Sequence, residues 1–502
     1  MFHLFEKIQK GEVYFIAEMS ANHGGSLENA LEIVRGVAKA GADCLKIQTY
    51  TADSLTIDCD NEYFQIKGTL WDGQKLYDLY QEAGTPYEWQ AQIKDECEKC
   101  GMDFLSTPFD NAAVDFLDSI GAEAYKIASF ELVDLPLIEY AASKGKPMII
   151  SCGMGSESEI YDAVEACRRV GNNQIVLLKC CSEYPANWQD MHLANIPDMI
   201  QKFGVPVGLS DHSEGSVAAV VGVSMGACVV EKHVKLEGVE SADSAFSMTM
   251  EGFAEMVKAA KAAKTIAGKV QYGPTPGEEK LVPFRRSLFA VKDIKKGDPI
   301  SAENVRSIRP SQGVKPKYFA AINGREALTD IPFGTPITCD KVKIVPRIQI
   351  NRLILDEIGK ADTEFIVRLR NQPDVYPYFV NPKKLTVAEH LEWFYGSYQK
   401  NPYRFDWIAR SQDGTPVGSY HLCLEDAETV EVSYLTAPEH YRRGFAQEAI
   451  GALMSFASEC LGAKKAKAVI HVDNERSMRF IEKLGFEKIS EDGNFVTYQR
   501  MI

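Results

Sequence analysis

No stretch of this 502-residue sequence approaches the run of about 18 apolar residues that a membrane-spanning helix needs. The opening segment, MFHLFEKIQKGEVYF, also lacks the basic and then apolar layout of a secretion signal. Positive charge is in deficit, since 55 lysines and arginines face 70 acidic residues and leave a net charge of −15. This balance argues against a broad nucleic-acid surface. We therefore expect a cytoplasmic protein without nucleic-acid or membrane partners.

Paired cysteine motifs are also scarce. The 12 cysteines are scattered through apolar segments, as in a reduced intracellular protein. Cys97 and Cys100 form a CxxC in a polar helix, but no second pair accompanies them, which argues against a zinc or redox role. Cys180 and Cys181 lie at the end of a predicted strand and are possible functional-site residues.

Short β-branched runs alternate with helical segments up to about residue 270, a pattern typical of parallel α/β folds. Eight such units in this length match a TIM (β/α)8 barrel, although counting alone leaves an open doubly wound sheet as an alternative. The predicted strands cover residues 13–17, 44–47, 103–105, 124–127, 147–150, 175–178, 205–209 and 227–230. Polar residues follow nearly every strand, where a barrel places its active site.

Two histidines follow successive strands in the segment 206–233. His212 comes after Asp211, and His233 comes shortly after Glu231. The β-α-β geometry puts both strand ends at one edge, so these side chains can converge. Imidazoles beside carboxylates suit a divalent metal such as Mn, Mg or Co.

Two lysines, Lys46 and Lys126, fall within apolar strands, where an unpaired ammonium is costly. Either Glu18 or Glu131 is a candidate carboxylate partner, and a substrate phosphate or carboxylate would serve equally well. Phosphoenolpyruvate fits this description.

Several motifs resemble the sialic acid synthase family: FIAEMSANHGG, STPFD, AYKIASFE, GLSDHS and EKHV. The segment CDNEYFQIKGTLWDGQKLYDLYQEAGTPYEW is similar to an insertion typical of pseudaminic acid synthases. The resemblance implies a TIM barrel in which C3 of phosphoenolpyruvate attacks the C1 aldehyde of an amino sugar. Water then adds at C2, and phosphate leaves by C–O cleavage.

The resemblance also implies roles for individual residues. Glu18 matches the residue that deprotonates or orients the water, and the metal ligands would be His212 and His233. The phosphoenolpyruvate pocket would comprise Lys46, Thr107, Lys126, Ser129, Ser151 and Ser210. Positions near the sugar would be Gln48, Phe109, Glu131, Tyr184, Glu231 and Asp243.

Two loops beside the expected sugar site depart from the family pattern. Gly24 and Gly25 follow His23 where relatives carry a polar pair, and VKLEGVESADSAFSM lacks the usual Gly-Gly-Pro-Asp. The expected sugar is 2,4-diacetamido-2,4,6-trideoxy-L-altrose, which gives pseudaminic acid. Precursors of legionaminic or N-acetylneuraminic acid are the alternatives.

The barrel is predicted to end at residue 270, and the Pro- and Gly-rich residues 271–284 read as a linker. Residues 285–346 resemble the small β-rich antifreeze-like (SAF) domain of the same family. The resemblance implies a homodimer in which this domain covers the partner's barrel mouth, with Arg309 reaching into that site.

Residues 350–502 resemble the GNAT acetyltransferases, in particular those that act on amino-sugar nucleotides. A strand, a turn and a helix start at about Gly444 predict an acetyl-CoA pyrophosphate site. The expected acetyl-CoA contacts are Arg442, Arg443, Gly444, Phe445, Ala446, Asn474 and Ser477.

Residues 350–502 also depart from the GNAT pattern at two positions. Tyr441 replaces the usual Arg or Gln of the pyrophosphate loop, and Ile481 replaces a tyrosine that often protonates the CoA thiolate. Glu431 and His390 are the candidates for proton transfer. The alternative to an N-acetyltransferase is a non-catalytic module that binds acetyl-CoA.

Overall fold

The computed structural model describes residues 2–68 and 71–502, which divide into two compact units after residue 271. Each unit has its own apolar core. No helix among the described residues is both long and apolar enough to cross a membrane.

Eight parallel strands form a closed barrel in the first unit. They are β1 (Tyr14–Glu18), β2 (Cys44–Thr49), β3 (Asp103–Pro108), β4 (Tyr125–Ile127), β5 (Met148–Ser151), β6 (Ile175–Cys180), β7 (Val207–Asp211) and β8 (Val229–Lys235). Each strand pairs with the next, and β8 pairs with β1, for example Val230 with Phe15. This closure confirms the predicted TIM barrel and rules out the open sheet. A short β9 (Met248–Thr249) pairs in parallel with the end of β8.

The helices of this unit cover the barrel because each presents an apolar face to it. In α2, for example, Ile33, Val34 and Val37 are fully buried, and the helix begins at a Ser26 cap and ends at Gly41, where φ is +93°. The helices are α1 (Leu4–Gln9), α2 (Leu27–Ala40), α3 (Ala52–Leu55), α4 (Leu76–Ala83), α5 (Tyr87–Lys99), α6 (Asn111–Ser119), α7 (Leu135–Ser143), α8 (Glu157–Arg169), α9 (Asn195–Phe203), α10 (Val217–Ser224) and α11 (Met250–Ala267).

The second unit contains a small β-structure and a larger mixed sheet. The small part has the antiparallel pair β10 (Ser287–Ala290) and β11 (Val305–Ile308), followed by α12 (Phe319–Ile322). The larger sheet comprises β12 (Ile348–Gln349), β13 (Leu353–Glu357), β14 (Arg404–Ser411), β15 (Pro416–Leu424), β16 (Thr429–Thr436), β17 (Lys465–His471), β18 (Glu487–Asp492) and β19 (Phe495–Met501). Its helices are α13 (Thr363–Arg370), α14 (Val387–Trp393), α15 (Phe445–Phe456) and α16 (Glu475–Lys483).

Residues 285–346 and 350–502 share one apolar core within this unit. The rings of Tyr318 and Phe456 lie 5.7 Å apart, and Trp407 Nε1 donates to the Pro346 carbonyl at 2.8 Å. Lys317 Nζ also lies 2.6 Å from Glu459 Oε2. The small β-structure is therefore packed on the larger sheet rather than tethered to it.

Candidate active sites

The first site lies at the mouth of the barrel, where strand register brings polar residues to one level. Glu18, the last residue of β1, pairs with Lys46 of β2 and with His233 of β8. Ser210 of β7 pairs with Glu231 of β8. Because paired residues of parallel strands lie at the same height, side chains far apart in the chain converge there.

Two buried ammonium groups and two buried carboxylates form an ion-pair network at this mouth. Lys46 Nζ lies 2.7 Å from Glu18 Oε2 and 3.7 Å from Glu231 Oε1. Lys126 Nζ lies 3.7 Å from the same Glu231 oxygen and donates to Ser151 Oγ at 2.6 Å. All four charged residues are at most 4% exposed, so each needs a partner of opposite charge.

The lysines pair with Glu18 and Glu231. Glu18 is one of the two expected partners, whereas Glu231 and not Glu131 is the second. Burial raises the pKa of Glu18 to about 7 despite the charge of Lys46, and the Glu231 charge adds to the rise. Burial opposes ionisation of Glu231, but Lys126 and Lys46 outweigh it and lower its pKa. Glu18 can therefore exchange a proton near neutral pH, as a residue that activates water must.

His212 and His233 come together at the same mouth, with ring centroids 5.4 Å apart. His212 Nδ1 lies 2.8 Å from the Cys181 carbonyl oxygen and donates to it, so Nε2 is the ring nitrogen that could bind a metal. His233 Nδ1 is buried with no hydrogen-bond partner among the described residues. Cys180 is also close, with Sγ 3.7 Å from His212 Nδ1.

These two imidazoles fit two coordination positions of a divalent metal. In the described chain, however, no group of three or more histidine, cysteine, aspartate or glutamate residues is arranged to hold an ion. The protein would therefore supply a partial ligand set, completed by substrate or water, which is how catalytic metals keep open positions.

Two further hydroxyls expected to bind phosphoenolpyruvate contact this network. Thr107 Oγ1 accepts from Lys46 Nζ at 3.4 Å, and Ser210 Oγ donates to Glu231 Oε1 at 3.2 Å. Ser129 Oγ accepts from the Gly153 amide at 3.1 Å. Gly153 itself leaves no room for a side chain, since a Cβ there would lie 2.7 Å from this Ser129 oxygen.

The residues expected near the sugar are more dispersed. Asp243 Oδ2 accepts from the Ala21 amide at 3.3 Å, and Gln48 pairs in register with Thr107. Phe109 packs edge-on against Tyr50, at 5.3 Å between ring centroids. Glu131 has a buried Oε2 without a hydrogen-bond partner among the described residues, and burial raises its pKa to about 7.

Three aromatic side chains, Tyr184, Phe246 and Trp71, form an aromatic wall beside the two histidines. The Tyr184 ring lies 4.2 Å from that of His212 and 4.9 Å from that of Phe246. Trp71 lies 6.4 Å from Tyr184 and donates from Nε1 to the Ala242 carbonyl at 3.2 Å. Sequence reasoning identified Tyr184 but missed Trp71, which lies in the insertion that carried the resemblance, and Phe246, which lies in the loop that departs from the family pattern.

Arg309 belongs to the second unit, where it is exposed and clusters with Arg285 and Arg286 around a shallow depression. Its expected entry into a partner's barrel remains a prediction.

The second site is a cleft of about 960 Å³ in the larger sheet of the second unit. It opens because β16 and β17 pair over only three residue pairs, ending at Glu431 and Lys467. Beyond that point the strands no longer pair, and Val432 of β16 and His471 of β17 line the opening. The cleft is also lined by Arg442, Gly444, Phe445, Ala446, Asn474 and Ser477, six of the seven expected acetyl-CoA contacts. Arg443 does not line it and lies 3.3 Å from His440 Nδ1.

The first residues of α15 line this cleft. Gly444 caps the helix at φ +81°, and Arg442 is also left-handed at +60°. Arg352 braces the turn by donating to Glu448 at 2.8 Å and to the Arg443 carbonyl at 2.9 Å. A helix N-terminus held this way favours an anionic group such as a pyrophosphate.

A cation stands beside Tyr441, the residue that departs from the family. The Arg476 guanidinium lies 4.2 Å from the Tyr441 ring centroid and donates to its hydroxyl at 3.3 Å. Both residues line the cleft. Arg476, which sequence reasoning missed, thus places a positive charge beside the position where Tyr441 replaces the usual Arg or Gln.

The two expected candidates for proton transfer, Glu431 and His390, differ in whether they line the cleft. Glu431 lines the cleft, and burial raises its pKa. His390 is 3% exposed and is not among the cleft residues, so its proposed role is not supported by its position. Ile481 is fully buried. His421, which the sequence did not single out, lines the cleft instead.

The fold defines an enzyme with a (β/α)8 barrel whose mouth gathers two buried lysines and two buried carboxylates. Residues 33–272 match the NeuB family, residues 285–343 a SAF domain and residues 352–487 an acetyltransferase (GNAT) domain. The predicted combination of barrel, SAF and GNAT folds is confirmed.

Pseudaminic acid synthases are among the curated relatives. That of Campylobacter jejuni is 46% identical over 327 residues, covering 64% of this chain and 94% of the relative. That of Helicobacter pylori is 41% identical over 330 residues, covering 65% and 97%. A solved structure of a putative spore coat polysaccharide biosynthesis protein E from Chromobacterium violaceum is 26% identical, with a TM-score of 0.53, and covers 66% of this chain and 99% of that one. The chain belongs to the NeuB family.

Proposed function

We propose that the barrel is a pseudaminic acid synthase and that the GNAT domain is an amino-sugar N-acetyltransferase. The barrel would condense phosphoenolpyruvate with 2,4-diacetamido-2,4,6-trideoxy-L-altrose and water, giving pseudaminic acid and phosphate. The observation that carries the synthase assignment is the buried network of Lys46 and Lys126 with Glu18 and Glu231.

In this proposal the two lysines hold the phosphate and carboxylate of phosphoenolpyruvate, assisted by the hydroxyls of Thr107 and Ser151. C3 of phosphoenolpyruvate attacks the C1 aldehyde of the sugar. Glu18, with a pKa of about 7, orients or deprotonates the water that adds at C2. The C–O bond then breaks and phosphate departs.

A divalent metal, Mn, Mg or Co, would be held by His212 and His233. When bound, it would polarise the aldehyde carbonyl of the sugar. His233 Nδ1, which is buried and has no hydrogen-bond partner in the part of the chain that the structure describes, supports this placement.

The identity of the sugar rests on the pseudaminic-type insertion, which contributes Trp71 to the aromatic wall beside His212. Phosphate release from phosphoenolpyruvate, with Mn and one sugar at a time, tests it. The sugars are the altrose, its legionaminic counterpart and N-acetylmannosamine. Release with the altrose alone is expected; release with another sugar would retain the chemistry and replace the substrate.

The acetyltransferase would transfer acetyl from acetyl-CoA to the amine of a 4-amino sugar nucleotide. Polar groups inside the cleft favour catalysis over the alternative of an acetyl-CoA-binding module, because Glu431 and His421 line it beyond the pyrophosphate turn. Both activities would then serve one pathway. CoA release with such a nucleotide is expected, whereas saturable acetyl-CoA binding without transfer would favour the module.

We also propose a cytoplasmic homodimer in which Arg309 completes the partner's barrel site. Light scattering gives the mass. Mixing inactive Arg309→Ala chains with inactive His233→Ala chains should restore part of the phosphate release, since each mixed dimer regains one intact site. A failure to recover any activity would argue against a role in the partner's site.

A further inference from the structure

One face of the sheet in the second unit carries an aligned set of polar residues. Asp406 of β14 pairs in register with His421 of β15. Glu431 of β16 lies one pair further along the same face, opposite Cys423. Because alternate residues of a strand share a face, these side chains lie side by side.

Asp406 is held in place next to His421. It is 4% exposed, and Arg404 binds it through both carboxylate oxygens, at 2.9 Å from Nε and 3.2 Å from the second nitrogen. His421 Nδ1 lies 4.0 Å from Asp406 Oδ1. This is longer than a hydrogen bond, so Asp406 acts on the ring through its charge, which Arg404 partly balances and which favours the tautomer with the proton on Nδ1.

His421 reaches the cleft from this buried support. Its side chain is 22% exposed, and it lines the cleft together with Arg404 and Glu431. The tautomer favoured by Asp406 leaves Nε2 with the lone pair that a proton acceptor needs.

We propose that His421 is the catalytic acid and base of the acetyl transfer and that Asp406 is its positioning residue. This inference rests on the proposed acetyltransferase function. The neutral amine attacks the thioester carbonyl and a C–N bond forms. The nitrogen, now positively charged, gives a proton to His421 Nε2. The C–S bond breaks, and the imidazolium gives that proton to the departing CoA thiolate. Ile481 has no hydroxyl and so cannot protonate the thiolate as a tyrosine at its position would.

The surroundings of His421 keep its ring neutral, which leaves Nε2 free to accept a proton but makes it a weaker base than an unperturbed imidazole. Burial lowers the pKa of His421 to about 4, with Asp406 opposing the fall and Arg404 adding to it. Glu431 on β16 lines the cleft with His421, and burial raises the pKa of Glu431. His390 on α14 interacts with Asp406; burial lowers the pKa of His390, and the Asp406 charge opposes this fall. His421 is therefore neutral near pH 7, and its imidazolium is a strong enough acid to protonate a thiolate.

The test uses the full chain, acetyl-CoA and a nucleotide-linked 2-acetamido-4-amino-2,4,6-trideoxy-L-altrose as acceptor. His421→Gln should lower kcat by about 100-fold to 10,000-fold. Acetyl-CoA binding should stay within about twofold of wild type, which checks that the domain is folded. His421→Gly should be rescued in proportion to added imidazole, an effect that a structural role would not give.

Asp406→Asn should lower kcat less than His421→Gln and leave the KM for acetyl-CoA unchanged. Glu431→Gln tests the competing base. A wild-type-like kcat in His421→Gln, or a folded His421→Gly that imidazole does not rescue, would overturn the inference while acetyl transfer stands. A wild-type chain that binds acetyl-CoA but acetylates no acceptor would overturn both.

Discussion

Lys343 lies under the ring of Tyr398, with Nζ 3.7 Å from the ring centroid, and it donates to the Tyr398 carbonyl oxygen at 2.7 Å. The lysine comes from the SAF part of the second unit and the tyrosine from the GNAT part. Burial lowers the pKa of Lys343 to about 8. The contact thus depends on packing between two parts that the sequence presents as separate domains.

The second unit should consequently unfold in one cooperative step. Lys343→Ala should reduce its free energy of unfolding by ~1–3 kcal/mol, since a cation–π contact and a buried stem are lost. Lys295→Ala, at an exposed ion pair with Asp330, should change it by less than about 0.5 kcal/mol. Calorimetry of the full chain would measure this, and separate SAF and GNAT transitions would contradict it.

Lys126→Met should strongly reduce phosphate release by the barrel. The substitution removes a buried cation and leaves Glu231 with one lysine instead of two, so kcat/KM for phosphoenolpyruvate should fall at least about 100-fold. Lys179→Met is the matched control, because that lysine lies on β6 and, within the described residues, donates to the Cys180 carbonyl alone. Equal losses in both variants would mean that the effect is structural.

His233→Ala should abolish metal-dependent condensation and leave acetyl-CoA binding intact. Mn binding, followed by its electron paramagnetic resonance signal, should weaken together with phosphate release, because one of two candidate ligands is gone. Unchanged Mn affinity with lost activity would assign His233 a role other than metal binding.

We expect Glu131 to make the free energy of unfolding of the barrel depend on pH. Burial raises its pKa to about 7, so the folded state binds the proton more tightly than the unfolded state does. The free energy of unfolding therefore falls as pH rises from about 4.3 to about 7. Glu131→Gln should remove this loss and stabilise the barrel at pH 8, relative to wild type, by ~1–3 kcal/mol. Thermal unfolding at pH 5 and pH 8 measures it, and an equal shift at both values would refute the assignment.

Trp71→Ala should impair sugar binding specifically. The indole packs toward Tyr184 and donates to the Ala242 carbonyl, so its loss should raise the KM for the sugar about tenfold. The KM for phosphoenolpyruvate should remain within about twofold. Trp188→Ala, at an exposed tryptophan, provides the comparison. A parallel rise in both KM values would indicate a general distortion of the mouth.

The sequence by itself predicted the eight strands and the polar residues at their ends, because buried strands and their termini are short-range patterns of apolar and polar residues. It also predicted that Lys46 and Lys126 need anionic partners, which follows from the cost of burying a charge. It did not assign Glu231 to them, since that pairing depends on where β8 meets β7 and β1 around the closed barrel.

Only the tertiary structure decided which side chains touch. His421 has no distinguishing signal in its own segment, and its position beside Asp406 arises from the antiparallel register of β14 with β15. Likewise, the SAF and GNAT segments differ in composition, yet Lys343 and Tyr398 join them in one core. Local periodicity records which residues are buried, whereas register and packing depend on contacts between segments distant in the chain, and those contacts form only when the whole unit folds.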